Sequence, residues 1–253
     1  MSKIVVLGAG IAGHTAAAHL RKKLGKEHEV LVVSPNRNYQ WVPSNIWVGI
    51  GRMKSKEVIF PLEPLYKRKG IGYKQAKAVS FHPEGDGSEQ KPYILVEGVF
   101  GDNLGKQEKV TYDYLINATG PKLAFDMTEG LVPETNKVYS VCTYDHAEKA
   151  SEALHKLIDQ LKKSDKKSKI LIGTGHARAT CQGAAFEYIL NVEKELQKFG
   201  VRDKAEITWI SNEYELGDFG MDGMLMEYNG FNMKSKDMVE MIFEDRVIKW
   251  ILG

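Results

Sequence analysis

Three glycines near the amino terminus have the spacing of a dinucleotide-binding turn. Gly8, Gly10 and Gly13 form a G-x-G-x-x-G pattern directly after the apolar residues 4–7. In such a turn the first glycine permits a tight bend, the second lets a pyrophosphate approach the backbone, and the third allows close helix–strand packing. The following helix directs free N–H groups at the phosphates. The residues predicted to contact a dinucleotide here are Gly8, Ala9, Gly10, Ile11 and Ala12.

The end of the second predicted strand, residues 29–33, bears on which dinucleotide binds. Sites for NAD usually carry Asp or Glu at this point to hold the ribose hydroxyls. This chain has Ser34 and Pro35 instead. Ser34 can hydrogen-bond a ribose oxygen, but a hydroxyl discriminates less sharply than a carboxylate. Both residues are therefore predicted to lie beside the cofactor.

A second motif lies at residues 112–120, where a short apolar strand runs into Ala118, Thr119 and Gly120. Small residues let the backbone pass close under a cofactor, and Thr119 offers a hydroxyl. A glycine turn at the start and a later strand ending in A-T-G together resemble the two-dinucleotide-binding flavoproteins, in which both motifs hold FAD. The resemblance implies FAD as cofactor. The alternative from the residues alone is an α/β turn that binds nothing.

The opening pattern recurs after a lysine-rich linker. Residues 170–175 predict a strand entering a glycine turn, a helix follows over 179–199, and residues 206–210 predict another strand. Arg178 occupies the third glycine position, so nicotinamide binding in this second unit is not expected. Cys181 falls at the start of the helix, where the helix dipole lowers a thiol pKa and raises its reactivity. The alternative is a buried structural cysteine.

The elements that position these motifs alternate between strand and helix. Helices are predicted at residues 11–24 and 145–162, antiparallel strands within 75–81 and 93–112, a loop at 39–45 and a strand within 245–252. The predicted fold is an α/β protein with two Rossmann-like units and a β-meander insertion, the second unit being incomplete. Its domains are residues 1–145, which bind FAD, and residues 146–253, which carry the redox cysteine.

Composition excludes several other classes of protein. The formal net charge is +2 with 27% charged residues, which favours neither nucleic-acid binding nor a polybasic membrane module. Two cysteines, Cys142 and Cys181, are too few for a disulfide scaffold or a thiolate zinc site, and no metal is predicted. Neither a signal peptide nor an apolar run long enough to span a bilayer is evident. A cytoplasmic location is expected.

The chain resembles the sulfide:quinone oxidoreductases. The residues that carry the resemblance are G-A-G-I-A-G at 8–13, W-V-P-S-N at 41–45 with W-V-G at 47–49, A-T-G-P-K-L-A-F at 118–125, S-V-C-T-Y-D-H-A at 140–147 and the segment around Cys181. The resemblance implies that sulfide sulfur is captured by a redox cysteine near FAD, that a quinone collects the electrons, and that sulfane sulfur leaves. It also adds Pro43, Ser44 and Ala78 to the FAD contacts.

The resemblance assigns roles to four further residues. Cys181 matches one member of the active cysteine pair, and Cys142 matches a third cysteine that is less central. His146 is implied as a proton carrier and Glu187 as a local acid. Each of the last two is equally compatible with an ordinary surface side chain.

The chain departs from the family pattern at its end. The second member of the active cysteine pair, the last FAD-contacting segment and the amphipathic helices that seat these enzymes on the membrane and admit the quinone are not found before Gly253. The expectation is a truncated gene, a split reading frame or a fragment, with peripheral binding to the cytoplasmic membrane only when that part is present. Three alternatives stay open: a non-catalytic flavin-binding fragment, one half of a two-chain enzyme, and a flavocytochrome c sulfide dehydrogenase. A homo-oligomer or a complementary C-terminal chain would be the macromolecular partner.

Overall fold

Strand β1 (Lys3–Leu7) leads through the glycine turn into helix α1 (Ile11–Leu24) in the computed structural model. The helix has the predicted bounds, so the strand–turn–helix order at the amino terminus is confirmed. The helix ends at Gly25, whose positive φ of 57° allows the chain to turn away without the steric cost of a Cβ atom. Gly13 and Ala17 are its buried residues, and such small side chains let α1 lie close to the sheet.

The structure describes residues 1–135, 137–176, 179 and 181–253, without the side chain of Tyr228. Arg178, on which the argument against nicotinamide binding rests, lies outside the described residues.

The chain divides into two units. The first contains Met1–Trp41 and Ile59–Leu123, and the second contains Val42–Val58 and Ala124–Gly253. The functional division after residue 145 stays a prediction, and the structural division groups residues 42–58 and 124–145 with the second unit.

The remaining elements are a mixture of strands and helices, as the α/β prediction requires. The further strands are β2 (Glu29–Ser34), β3 (Asn38–Gln40), β4 (Ile59–Pro61), β5 (Gly72–His82), β6 (Tyr93–Gly98), β7 (Gln107–Thr111), β8 (Tyr114–Asn117), β9 (Ser168–Gly173), β10 (Ala205–Ser211), β11 (Leu225–Tyr228), β12 (Phe231–Lys234) and β13 (Ile248–Leu252). The further helices are α2 (Asn45–Gly49), α3 (Ser55–Val58), α4 (Leu62–Lys69), α5 (Tyr144–Lys162), α6 (Gln182–Lys198) and α7 (Ser235–Asp245).

The first unit is built on a six-stranded sheet with the order β7-β6-β5-β2-β1-β8. Strands β5, β2, β1 and β8 run parallel, while β5, β6 and β7 form the antiparallel meander that the sequence predicted. Strand β1 lies in the interior of the sheet, and its residues 4–7 are buried, which explains the apolar run in the sequence. Parallel strands end at the same edge, so the turns after β1, β2 and β8 meet there.

The second unit contains a three-stranded parallel sheet with the order β13-β10-β9. Helices α5, α6 and α7 contribute to one apolar core with these strands, in which Trp209, Phe243, Leu196 and Ile158 are among the most deeply buried side chains. The short segment of residues 42–58 adds Ile50 to the same core. The prediction of two α/β units with a meander insertion is therefore confirmed.

Two local predictions were wrong. Residues 39–45 were predicted as a loop, but they include part of β3, a single 3-10 turn and the start of α2. The predicted strand within 245–252 begins only at Ile248, because Asp245 ends α7 and Val247 takes a positive φ of 52° in the connection.

No helix among the described residues is long and apolar enough to cross a membrane.

Candidate functional site: the glycine turn and two exposed cysteines

The backbone around Gly8 is packed so closely that a side chain cannot be accommodated. Gly8 has a φ of +93°, and a Cβ atom placed on it would lie 2.2 Å from the carbonyl oxygen of Ala118. A Cβ atom on Gly13 would lie 2.0 Å from the carbonyl oxygen of Gly8. These two glycines are therefore required by the packing of the turn itself, as the motif predicts.

Hydrogen bonds fix the turn against its neighbouring strands. The Gly8 N–H donates to the Val33 carbonyl at 2.8 Å, and the Ala118 N–H donates to the Leu7 carbonyl at 2.8 Å. The structure thus brings together the predicted residues at the ends of β1, β2 and β8. This is the edge of a parallel sheet at which ligands bind in open α/β folds.

Gly10 differs from the other two glycines because its surroundings are open. No atom lies within 4 Å of the position of an added Cβ atom, and Gly10, Ile11 and Ala12 are exposed. Gly10 is the N-cap of α1, no side chain caps the helix, and its first turn contains no acidic residue. The first-turn N–H groups and the positive end of the helix dipole thus face solvent at a point suited to an anion.

The other residues of the first unit that are predicted to contact the cofactor differ in their exposure. Ser34 ends β2 but is buried, and its hydroxyl accepts the Asn36 N–H at 3.3 Å. Thr119 is exposed and donates its hydroxyl to the Asn117 side chain at 2.9 Å. Ala9 is buried in the turn, Pro35 and Gly120 are exposed, and Ala78 lies on β5 beside an irregularity in its pairing with β6.

Cys181 lies at the start of the second unit's long helix, as predicted. It is the N-cap of α6, which begins at Gln182 rather than at residue 179, and it is exposed. No side-chain hydrogen bond caps this helix. Its position at a helix terminus and its exposure are the two conditions that favour a reactive thiol. The interpretation as a buried structural cysteine is wrong.

Cys142 lies in the connection that leads into α5 and is also exposed. Its N–H donates to the Ser140 hydroxyl at 3.0 Å. His146 follows in the first turn of α5, with its ring edge-on to Phe125 at 5.1 Å between centroids and its Nε2 atom 4.0 Å from a Glu134 carboxylate oxygen. His146 thus has an acidic neighbour, which the sequence motif did not reveal.

Glu187 is exposed on α6, and its carbonyl accepts from the Asn191 side chain at 2.8 Å. In the described part of the chain, no hydrogen bond or ion pair joins Cys181, Cys142, His146 and Glu187 to one another. Their common role stays a prediction that rests on sequence.

Pro43 and Ser44 belong to the second unit, where they precede α2. Pro43 is exposed and Ser44 is half-buried. The next residue, Asn45, is 1% exposed, and neither its amide nitrogen nor its amide oxygen has a hydrogen-bond partner. Sequence reasoning named Asn45 only as part of the family motif, and nothing in its residue type predicted complete burial.

At the carboxyl end of the second sheet there is a cavity of about 270 Å³ lined by Thr174, Gly175, His176, Ile210, Ser211, Asn212, Ile251, Leu252 and Gly253. The acid that follows β10, Glu213, does not face this cavity as a ribose ligand would. It is buried, and its carboxylate accepts from the Trp209 indole at 3.3 Å and from the Phe219 N–H at 2.8 Å. Glu213 is thus hydrogen-bonded within the protein and is not among the residues that line the cavity.

Residues 2–187 match the protein family described as pyridine nucleotide-disulphide oxidoreductase. The chain belongs to that family. The match includes the glycine turn, the A-T-G motif and both cysteines. The family that the sequence resemblance predicted is thereby confirmed.

Relatives in this family agree with the resemblance drawn from the sequence. The sulfide-quinone reductase of Aquifex aeolicus is 30% identical over 248 residues, which are 98% of this chain and 50% of that protein. The mitochondrial sulfide:quinone oxidoreductase of Dictyostelium discoideum is 27% identical over 214 residues, 83% of this chain and 42% of that protein. The chain thus spans about half the length of the curated relatives it matches.

The solved structure of the Aquifex aeolicus sulfide:quinone oxidoreductase superimposes with a TM-score of 0.77 at 28% identity. The match covers 100% of this chain and 51% of that one. The predicted resemblance to this group of pyridine nucleotide-disulphide oxidoreductases is confirmed.

Proposed function

We propose that this chain is the FAD-binding and thiol-bearing portion of a sulfide:quinone oxidoreductase. The proposal rests on the different surroundings of the three glycines in the turn. A side chain on Gly8 or Gly13 would clash with neighbouring backbone atoms. Gly10, in contrast, has open space around it and lies at a helix terminus that no side chain caps. Such a turn has room and N–H donors for a pyrophosphate.

The residues at the ends of β1, β2 and β8 fit FAD. The N–H groups of Ile11 and Ala12 and the open backbone of Gly10 would hold the pyrophosphate. Ser34 and Pro35 would lie beside the ribose, and Ala118, Thr119 and Gly120 would pass under the remainder of the cofactor. Bound FAD supplies two-electron transfer, and the protein contributes position and charge. Pro43, Ser44 and Ala78 complete the proposed contacts.

The thiols would act on sulfide. Cys181 would hold the captured sulfur, because its thiol is exposed at the N-cap position of α6. Cys142 would be a second, less central thiol. His146, with the Glu134 carboxylate close to its Nε2 atom, would carry a proton, and Glu187 would be a local acid.

In the overall reaction, sulfide would be oxidised by two electrons to sulfane sulfur, and a quinone would be reduced by the same two electrons. The substrates of this proposal are sulfide and quinone. The proposed location is the cytoplasm, or the surface of the cytoplasmic membrane when the rest of the enzyme is present. The proposed macromolecular partner is a second copy or a complementary chain.

Substitution of Gly10 tests the cofactor assignment. Gly10→Ala places a methyl group in open space, so folding should be unaffected, while a pyrophosphate over the turn would be displaced. We expect FAD affinity, measured by quenching of flavin fluorescence, to fall by about tenfold or more at an unchanged unfolding midpoint. Gly87→Ala, at another open glycine in the meander, is the matched control. Equal FAD affinity in Gly10→Ala and the wild type, or tight NADH binding with no FAD binding, would overturn the proposal.

A further inference from the structure

Methionine is distributed unevenly along the chain. Six of the nine methionines fall within residues 221–241, at positions 221, 224, 226, 233, 238 and 241. The thioether of methionine fills gaps in apolar cores, and it is also a ligand for soft metal ions. Met238 packs against the apolar core of the second unit, but Met224, Met226 and Met233 are not among the described side chains of that core. Core packing therefore does not explain these three residues.

Two of the three lie directly opposite each other in a β-hairpin. Strands β11 and β12 pair antiparallel, with Met226 opposite Met233. Asn229 and Gly230 join the strands with positive φ values of 52° and 81°, and an Asn-Gly turn of this kind fixes the register of a hairpin. Side chains at opposite positions emerge on the same face, with their Cβ atoms about 5 Å apart. The register thus places two thioethers side by side.

The third methionine is held on the same face of the hairpin. The Ser235 N–H donates to the Met224 carbonyl at 2.8 Å, and the Met224 N–H donates to the Ser235 hydroxyl at 2.8 Å. Ser235 is buried, and its hydroxyl donates to the Gly217 carbonyl at 2.7 Å. Met224 therefore continues strand β11, and residues two positions apart in a strand share a face. Diagonal neighbours across a strand pair are within reach of long side chains, so the three sulfur atoms can meet.

This face of the hairpin suits a soft cation. Met224 is 38% exposed, while Met226 and Met233 are half-buried, so an ion has access from solvent and is shielded on its inner side. The charged residues of the two strands, Glu227 and Lys234, alternate onto the opposite face. Hard cations such as Mg²⁺ require oxygen ligands, whereas thioethers select Cu(I).

We propose that Met224, Met226 and Met233 bind one Cu(I) ion through three thioether sulfur atoms. In the described part of the chain, no group of three His, Cys, Asp or Glu side chains could hold a metal ion, so the thioethers are the candidate ligands. Thioethers carry no proton that a metal must displace, so affinity should not fall between pH 7.5 and 6.0 as it does at thiolate or imidazole sites. The inference depends on the hairpin and not on the assignments of FAD or sulfide.

The test begins with removal of the two thiols, because a cysteine thiolate also binds Cu(I). In the full chain with Cys142→Ser and Cys181→Ser, methionine is the remaining source of sulfur. We expect this protein to take one Cu(I) ion, kept reduced by ascorbate, from a colorimetric chelator. X-ray absorption at the copper edge should show sulfur neighbours. Failure to bind Cu(I), or a copper spectrum without sulfur neighbours, would overturn the proposal.

Leucine substitutions identify the ligands. Met226→Leu/Met233→Leu retains apolar side chains of similar volume but removes two sulfur atoms, so folding should be preserved. We expect Cu(I) affinity in the thiol-free chain to fall by about tenfold or more. Met241→Leu, on α7 and 46% exposed, is the matched control and should leave the affinity unchanged. Unchanged affinity in the double variant, or an equal loss in the control, would contradict the assignment.

The same variants distinguish a copper site from an apolar docking surface. Phe231 is 75% exposed two positions before Met233, so the hairpin also presents apolar area to solvent. Leucine preserves such area and lacks the sulfur ligand. A dimer that forms without copper, persists in Met226→Leu/Met233→Leu and is dissociated by Phe231→Asp would show that a second copy covers this face, contrary to the proposal. Sedimentation velocity provides the measurement.

Discussion

Arg52 and Glu195 form an ion pair across 143 positions of sequence, with 2.5 Å between Arg52 Nε and a carboxylate oxygen of Glu195. The Glu195 side chain is only 2% exposed, and Lys198 lies 3.5 Å from its other oxygen. The pair joins the segment of residues 42–58 to helix α6 within the second unit. Gly49 is held to the same helix, because its carbonyl accepts from the Tyr188 hydroxyl at 3.1 Å.

Removal of Arg52 should destabilise the second unit. Arg52→Met leaves a buried carboxylate with a single, mostly exposed lysine nearby, and we expect a loss of about 3 kcal/mol in the free energy of unfolding. The measurement is urea unfolding followed by tryptophan fluorescence. Lys198→Met should cost less than about 1 kcal/mol. The double variant Arg52→Met/Glu195→Met should be more stable than Arg52→Met alone, and a less stable double variant would contradict this account.

The close packing around Gly8 predicts that a substitution at this residue impairs folding. Gly8→Ala would combine an unfavourable positive φ with a clash against the Ala118 backbone, which cannot move away as a flexible side chain could. We expect a loss of about 3 kcal/mol or more, or failure to fold. Thermal unfolding of Gly8→Ala and Gly10→Ala measures the contrast. Similar midpoints for the two variants would show that the turn relaxes more easily than its packing indicates.

Sequence predicted the elements with strong periodicity or a marked boundary. Helix α1 was predicted with its observed ends, because an apolar strand and a glycine turn precede it and Gly25 follows. Helix α5 was predicted within one residue for a similar reason: its apolar side chains recur at helical spacing. Helix α7 was missed, although Val239 and Phe243 lie four positions apart on its buried face. Its short length makes such a pattern hard to recognise.

The packing of residues 42–58 onto α5 and α6 could not be predicted from the sequence. Its contacts join residues more than a hundred positions apart, and neither Arg52 nor Glu195 lies in a recognisable motif. The same limit applies to the site. The turn around Gly8 follows from local residue types, whereas the burial of Asn45 and the approach of Glu134 to His146 depend on tertiary structure.

The two cysteines should differ in reactivity despite their common exposure. Cys181 lies at the N-cap position of a helix of 17 residues, a position that favours thiol reactivity, whereas Cys142 lies in a connection before α5. We expect iodoacetamide at pH 7 to alkylate Cys181 several-fold faster, as measured by peptide mass mapping over time. Cys142→Ser and Cys181→Ser identify each rate separately. Faster labelling of Cys142 would refute the assignment of Cys181 as the principal thiol.

His14 joins helix α1 to an aromatic cluster in the first unit. Its Nδ1 atom lies 3.2 Å from the Tyr66 hydroxyl, and its ring lies 5.0 Å from that of Tyr39 and 6.0 Å from that of Phe60. Burial, and secondarily the charge of Lys69, lowers the pKa of His14 below its usual value of 6.5. The folded state therefore favours a neutral imidazole.

This shift predicts that acid destabilises the first unit through His14. Below the unfolded-state pKa of 6.5 the unfolded chain binds more protons at this residue than the folded chain does, so the free energy of unfolding falls as pH falls. The fall ends once the pH is below the lowered pKa of the folded state. We expect His14→Gln, which keeps hydrogen-bonding capacity but does not titrate, to lose less stability between pH 7.5 and 5.5 than the wild type. Urea midpoints at the two pH values give the comparison, and the difference between them removes any packing cost of the substitution. Equal losses in both proteins would mean that His14 does not contribute to the pH dependence.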